Sequence, residues 1–168
     1  MPIIFETNNF LVIGPDQPHH DRDNGGHALV KPKARYSDRS EMPMDLYLSL
    51  MKLVRITGEA ITNVMRKKGV DVVRINYQDN GNWSYFPIMK KEPHLHVHLY
   101  VRANGEKHPT GDKRFMAFPN ALYFPFREDS PEYYESFKPY SKEDCSYIEA
   151  EINRLLDTQK YDGVKESL

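Results

Sequence analysis

Residues 94–100 read His-Leu-His-Val-His-Leu-Tyr, and this alternation constrains the fold more than any other feature of the chain. Successive side chains of a β-strand point to opposite faces, so a strand here places His94, His96 and His98 on one face and apolar residues on the other. Side chains two residues apart lie about 6.5–7 Å from one another, close enough to contact one ligand. The pattern predicts a strand with an apolar core face and a functional histidine face.

Two kinds of chemistry use imidazoles in such a row. Neutral ring nitrogens bind zinc, copper or iron, and a catalytic metal site would need a further ligand, for which His19, His20, His27 and His108 are available. Alternatively, one imidazole attacks phosphorus as a nucleophile while its neighbours hold the phosphate oxygens. The histidine row alone leaves both alternatives open.

The rest of the chain predicts a mixture of strands and helices. Apolar residues recur every three or four positions from Met44 to Lys68, which predicts the main helix, with Gly69 at its C-terminal cap. A last helix is predicted at about 142–158, with Ser141 as its N-cap. Strands are predicted at 3–5, 10–13, 27–32, 70–76, 94–102 and, at an edge of the sheet, 114–118.

Composition excludes several classes of protein. The 23 Lys and Arg residues against 24 Asp and Glu give a net charge of −1, so no overall positive charge favours nucleic acid or an anionic membrane. No stretch approaches the roughly 18 apolar residues of a membrane span. The single cysteine, Cys145, excludes an internal disulfide. These features predict a cytoplasmic protein without nucleic-acid or membrane partners.

Two segments together resemble the histidine-triad (HIT) family. Residues 94–100 match the family's His-φ-His-φ-His-φ-φ signature, where φ is hydrophobic, and GGHALVKPKARYSD, which begins at Gly25, is similar to the histidine strand that precedes the family's helix. The resemblance covers roughly residues 3–103. It implies an α+β fold with an antiparallel sheet of about five strands and one main helix, and a homodimer. We therefore expect a HIT-like domain at 1–118 and a C-terminal helical extension at 119–168, packed on the same domain.

The resemblance also implies roles for individual histidines. His96 would be the nucleophile that attacks the α-phosphorus of a nucleotide. His94 and His98 would flank it and contact the phosphate or the bridging oxygen. His27 would support the nucleophile through hydrogen bonds.

Further positions of the family pattern are matched less closely. Asn76 matches an asparagine that lies near the phosphate, and Asp16 matches an acid that holds the ribose, although three extra residues separate it from His27. The family's glycine-rich turn before the triad is replaced by an expanded loop, in which Ser84 could take the polar role. Lys90 and Lys91 in this loop either attract phosphate or are simply solvated.

These matches predict a nucleotide hydrolase or nucleotidyl transferase that acts through a covalent nucleotidyl-histidine. Its substrate would be a dinucleoside polyphosphate, a nucleoside phosphoramidate or a similar conjugate. No tightly bound cofactor is expected, although a divalent cation could accompany the nucleotide. The alternatives are a metal-dependent enzyme that uses the three strand histidines as ligands, and a nucleotide-binding module with little turnover.

Overall fold

Five strands and two α-helices make up the regular structure of the computed structural model, which describes residues 1–79, 81, 84, 92–106 and 135–168. The strands pair in one antiparallel sheet, in the spatial order first, second, third, fifth, fourth. The elements are β1 (Ile3–Glu6), β2 (Phe10–Ile13), β3 (His27–Pro32), α1 (Met44–Lys67), β4 (Val72–Gln78), β5 (Val97–Ala103) and α2 (Lys142–Leu156).

The two faces of the sheet differ because side chains alternate along each strand. Ala28 and Val30 of β3 and Leu99 of β5 belong to the hydrophobic core, which they share with the apolar stripe of α1. The intervening residues of the same strands include His27 and His98, which therefore point to the face away from α1. The helix side supplies the core, and the other face carries the candidate chemistry.

The C-terminal helix is part of the same core. Ile148 and Ile152 of α2 are fully buried, and α2 packs against α1 and β1. Its first turn is held by a capping box, in which the Ser141 hydroxyl accepts from the Asp144 amide and the Asp144 carboxylate accepts from the Ser141 amide. The sheet and its two helices confirm the predicted α+β architecture, the main helix and the capped last helix.

The triad strand starts later than the sequence predicts. The pairing of β3 with β5 ends at Val30 opposite Val97, and continuing the register would put Pro32 opposite Leu95. Proline has no amide hydrogen to donate across the ladder. The Leu95 amide instead donates to the Tyr36 carbonyl at 2.7 Å. His94 and His96 therefore lie in an irregular segment before β5, and only His98 is within the strand.

Parts of the sequence prediction lie outside the described residues. These are the possible edge strand at 114–118 and the proposed domain boundary at residue 118. Among the helices that are described, none is long and apolar enough to cross a bilayer.

We predict that Ile148→Ala destabilises the whole fold, because the side chain is fully buried where α2 packs on the core. The free energy of unfolding should fall by about 2–5 kcal/mol, measured by urea denaturation. Ser146→Ala, on the exposed face of the same helix, is the control and should change it by less than about 0.5 kcal/mol. Equal effects of the two substitutions would show that α2 does not contribute to the core.

Candidate active site

The pairing of β3 with β5 brings two predicted site histidines into direct contact. His27 lies opposite Tyr100, and Leu29 lies opposite His98, so His27 and His98 are diagonal neighbours on one face. Their ring centroids are 5.2 Å apart and their planes are inclined by only 16°, so the two rings lie nearly in one plane. Nε2 of His27 and Nδ1 of His98 are 2.9 Å apart, which makes a hydrogen bond between two buried imidazoles.

The neighbouring backbone fixes the direction of that hydrogen bond. The amide of His19 donates to Nδ1 of His27 at 3.1 Å, so this nitrogen is the acceptor and carries no proton. In a neutral ring the proton then resides on Nε2, which donates to Nδ1 of His98. By the same argument the proton of His98 resides on its Nε2. The chain of hydrogen bonds from His19 to His98 thus selects one tautomer for each ring.

His96 is oriented by the residue two positions before it. Its Nδ1 lies 2.7 Å from the carbonyl oxygen of His94, and because a carbonyl only accepts, Nδ1 carries the proton. Nε2 then carries the lone pair in the neutral ring, and no described residue donates to it. The His96 ring meets the His98 ring edge-on, with centroids 4.6 Å apart. An acceptor nitrogen therefore lies beside a donor ring, which suits nucleophilic attack.

The His94 ring is used differently. Its Nε2 lies 3.1 Å from the carbonyl oxygen of Pro32, to which it donates. The expectation that three imidazoles would line one strand face is thus wrong in its geometry, because His94 and His96 precede β5. His94 reaches His96 through its backbone carbonyl instead.

A further histidine, His19, joins the cluster. Its half-buried ring stacks at 5.2 Å from His27 and 5.8 Å from His98, and its Nδ1 lies 3.4 Å from the Tyr100 hydroxyl. The sequence indicates this residue only as one of four possible further metal ligands, and adjacent histidines in a polar loop are typically exposed. Its place in the site depends on how the loop folds back, and no periodic pattern could have indicated that.

Burial keeps the central pair uncharged. The pKa of His27 lies well below its usual value, because burial disfavours the cation and the nearby His98 and His19 rings disfavour it further. The pKa of His98 falls to about 2, chiefly through burial and then through His96 and His19. Both rings are therefore neutral at neutral pH, as the shared hydrogen bond requires.

Among the described residues, this same cluster comes nearest to an arrangement of metal ligands. Ring nitrogens of His19, His27 and His98 lie within 4.8 Å of one another, whereas the three triad histidines form no such group. However, His27 uses both ring nitrogens in hydrogen bonds, one of them to His98. In the same hydrogen bond the lone pair on Nδ1 of His98 is occupied by the His27 proton. In this arrangement the residues do not fit a metal ion.

The remaining predicted site residues are not all brought together. Asn76 of β4 pairs with Tyr100 of β5, which places it in the row that contains His27. Asp16 is exposed and pairs with the N-terminal amine of Met1 at 2.6 Å, rather than with any site residue. Ser84 is half-buried, and no hydrogen bond joins it to the triad among the described residues. The loop residues Lys90 and Lys91 lie outside those residues.

The neutral state of His98 predicts a specific pH dependence of stability. A histidine has a pKa near 6.5 in the unfolded chain, and a lower folded value means that the unfolded state takes up the proton first. Stability is then lost as the pH falls below about 6.5. For a folded pKa of about 2, the loss between about pH 7 and about pH 5 is about 2 kcal/mol.

Urea unfolding of the wild type and of His98→Asn at these two pH values measures this loss. Asn keeps an acceptor for His27 but cannot be protonated in this range, so its stability should fall by about 2 kcal/mol less than that of the wild type. The same pH dependence in both proteins would show that His98 is not held neutral.

Comparison with known proteins gives the fold a name. No family model matches the sequence, and no curated protein matches it either. Solved structures do match, with TM-scores of 0.57, 0.53 and 0.50 and sequence identities of 22%, 18% and 23%. They are a hypothetical histidine triad nucleotide-binding protein from Sulfolobus tokodaii, a Hit-like protein involved in cell-cycle regulation from Bartonella henselae, and a Zn-bound histidine triad family protein from Mycobacterium smegmatis.

These similarities extend over almost the whole chain. They cover 96%, 90% and 92% of this chain, and 89%, 87% and 87% of the respective structures. The five-stranded antiparallel sheet, the main helix and the C-terminal helix are therefore those of the histidine-triad fold.

Proposed function

We propose that this protein is a nucleotide hydrolase or nucleotidyl transferase, and that His96 attacks the α-phosphate of a nucleotide conjugate. The observation that carries the proposal is the hydrogen bond from Nδ1 of His96 to the carbonyl of His94. It leaves the lone pair on Nε2, and a nucleophile needs such a lone pair to attack phosphorus. The fold that the chain shares with histidine triad proteins supports the same chemistry.

In the first step the lone pair of His96 Nε2 forms a bond to phosphorus while the bond to the leaving-group oxygen breaks. The ring gains a positive charge, because Nδ1 keeps its proton and Nε2 now binds phosphorus. The carbonyl of His94 accepts from Nδ1 and stabilises that charge. In the second step a water oxygen bonds to phosphorus, the N–P bond breaks, and its electron pair returns to Nε2. The water proton goes to solvent.

His98 would act as a hydrogen-bond donor to a phosphate oxygen through its Nε2–H. Nδ1 of His98 carries no proton of its own, because it accepts the hydrogen bond from Nε2 of His27. If His98 also lost its Nε2 proton completely, its ring would become an imidazolate. The neutral pair therefore orients and polarises the phosphate rather than supplying a proton. A phosphoanhydride suits this arrangement, since its leaving group departs as a stable phosphate anion.

The substrate range stays a proposal: a dinucleoside polyphosphate, a nucleoside phosphoramidate or a similar conjugate. A phosphoramidate would need a proton for its amine, which would have to come from solvent or from the substrate. We propose no tightly bound cofactor, and a divalent cation would arrive with the nucleotide as part of the substrate. The cytoplasm remains the proposed compartment.

We predict that His96→Ala abolishes the covalent intermediate and lowers turnover at least about 1,000-fold, because the attacking atom is lost. Intact-protein mass spectrometry, without acid quenching, should show a nucleotidyl-sized increment on the wild type only. His94→Ala is the informative comparison. Its backbone carbonyl remains, so we expect the adduct to form and turnover to fall by no more than about 10-fold.

The same experiment tests the rival functions. Undiminished turnover in His96→Ala would contradict the proposal that His96 is the nucleophile. Loss of wild-type turnover on adding a chelator, with no adduct at any time, would favour a metal-dependent enzyme. Nucleotide binding that survives His96→Ala, together with no wild-type turnover on adenylyl and guanylyl substrates, would favour a binding module.

We also propose a homodimer. Within the described residues β4 is paired only with β5, and Val73 and Tyr77 on it are 55% and 50% exposed. Unpaired backbone groups and apolar side chains on an edge strand favour pairing with a second copy. Light scattering should give about twice the 19.7 kDa of one chain, and Val73→Lys should lower that mass. A wild-type mass of one chain would contradict the dimer.

A further inference from the structure

The carboxylate of Asp144 joins three separate parts of the chain. Arg22, in the loop before β3, donates to it through Nε at 2.9 Å and through a terminal nitrogen at 2.8 Å. Lys68, at the end of α1, donates at 2.7 Å, and Ser141 caps the helix through the same group. Asp144 is only 1% exposed. Burial would raise its pKa, but the hydrogen bonds from Arg22, Lys68 and Ser141 outweigh burial and lower it.

The loop that contains Arg22 is also tied to residue 138 through its backbone. The Arg22 amide donates to the Lys138 carbonyl at 3.0 Å, and the Lys138 amide donates to the Asp21 carboxylate at 2.8 Å. A third tie is the Tyr140 hydroxyl, which donates to the Gly25 carbonyl at 2.7 Å and is buried. The segment 138–144 therefore holds residues 21–25 at both ends.

His19 and His27 lie on either side of this loop. Asp21 accepts from the amides of Asp23 and Gly26, so residues 21–26 form one compact turn that leads directly into His27. His19 lies two residues before that turn, and its amide donates to Nδ1 of His27. A shift of the turn would move the His19 amide relative to the ring of His27, because His27 is fixed in β3.

We propose that the C-terminal segment 138–144 is a positioning element of the active site. It holds the turn 21–26 through the Arg22–Asp144 ion pair and the Tyr140–Gly25 hydrogen bond. The turn keeps the His19 amide on Nδ1 of His27, which prevents protonation there and keeps the Nε2 proton directed at His98. The effect on catalysis rests on the proposed function, whereas the effect on the His27 ring does not.

Two variants loosen the turn by independent contacts. Arg22→Gln removes the ion pair, and since it leaves a buried carboxylate short of a partner it could unfold the protein. Tyr140→Phe removes a single hydroxyl and preserves packing. Glu151→Gln is the matched control, because Glu151 is another buried carboxylate of α2 but is bound by Arg154 and Asn63. It does not touch the turn.

The first measurement is ¹⁵N NMR of histidine rings in the full chain, titrated from about pH 5.5 to about pH 8. The titratable groups that face His27 are His98 and His96 from the triad, His19 and His20 from the loop, and Tyr100 of β5, whose ring centroid lies 4.6 Å away. We expect the His27 ring to show one protonated nitrogen, Nε2, and no titration in the wild type and in Glu151→Gln. In Tyr140→Phe and in folded Arg22→Gln, the ring should begin to titrate in this range.

The second measurement is steady-state turnover of the wild type's best nucleotide substrate. In Tyr140→Phe, kcat should fall by about 10-fold with KM within about 2-fold, because the contact affects the orientation of the His27–His98 pair and not substrate binding. A His27 ring that stays untitrated in Tyr140→Phe and in folded Arg22→Gln would overturn the inference. If the ring titrates in these variants but no substrate is turned over by the wild type, the positioning role stands and the proposed function fails.

Discussion

The hydrogen bond between His27 and His98 is the contact on which the candidate site depends. This bond requires both buried imidazoles to be neutral, because a further proton on Nδ1 of either ring would remove a hydrogen-bond acceptor and place a cation in a poorly solvated site. The bond also joins the third and fifth strands at the centre of the sheet. A change in strand register or in the protonation of either ring would therefore also change the orientation of the Nε2–H of His98.

Much of the fold follows from apolar periodicity. The main helix was predicted at 44–68 and is observed at Met44–Lys67, and the last helix was predicted at 142–158 and is observed at Lys142–Leu156. Both have long stripes at helical spacing, a signal that tertiary contacts rarely override. The start of the fifth strand was wrong because it depends on Pro32, which is remote in sequence and becomes relevant only once the strands pair.

The site was less predictable than the fold. The triad histidines and His27 carry a recognisable spacing, and the structure places His27, His96 and His98 together. The orientation of His96 comes from a backbone carbonyl, which no residue type reveals. His19 was considered only as a possible further metal ligand, because adjacent histidines in a polar loop are typically exposed. Its position follows from contacts between residues 21–26 and 138–144, more than 100 residues apart along the chain.

The two glycines before His27 limit how this site can be redesigned. Gly25 and Gly26 have φ values of 114° and 91°, a region that side chains disfavour, and a Cβ on either would overlap Val101 or the Tyr140 ring. Backbone strain and steric overlap therefore coincide at one dipeptide. An engineer who wants to alter specificity by loop exchange should keep this pair together with its C-terminal partner and vary the residues that precede Asp21. A graft that imports the loop without residues 138–144 would remove the Tyr140 ring that Gly26 lies against, whereas Gly25 would still lie against Val101.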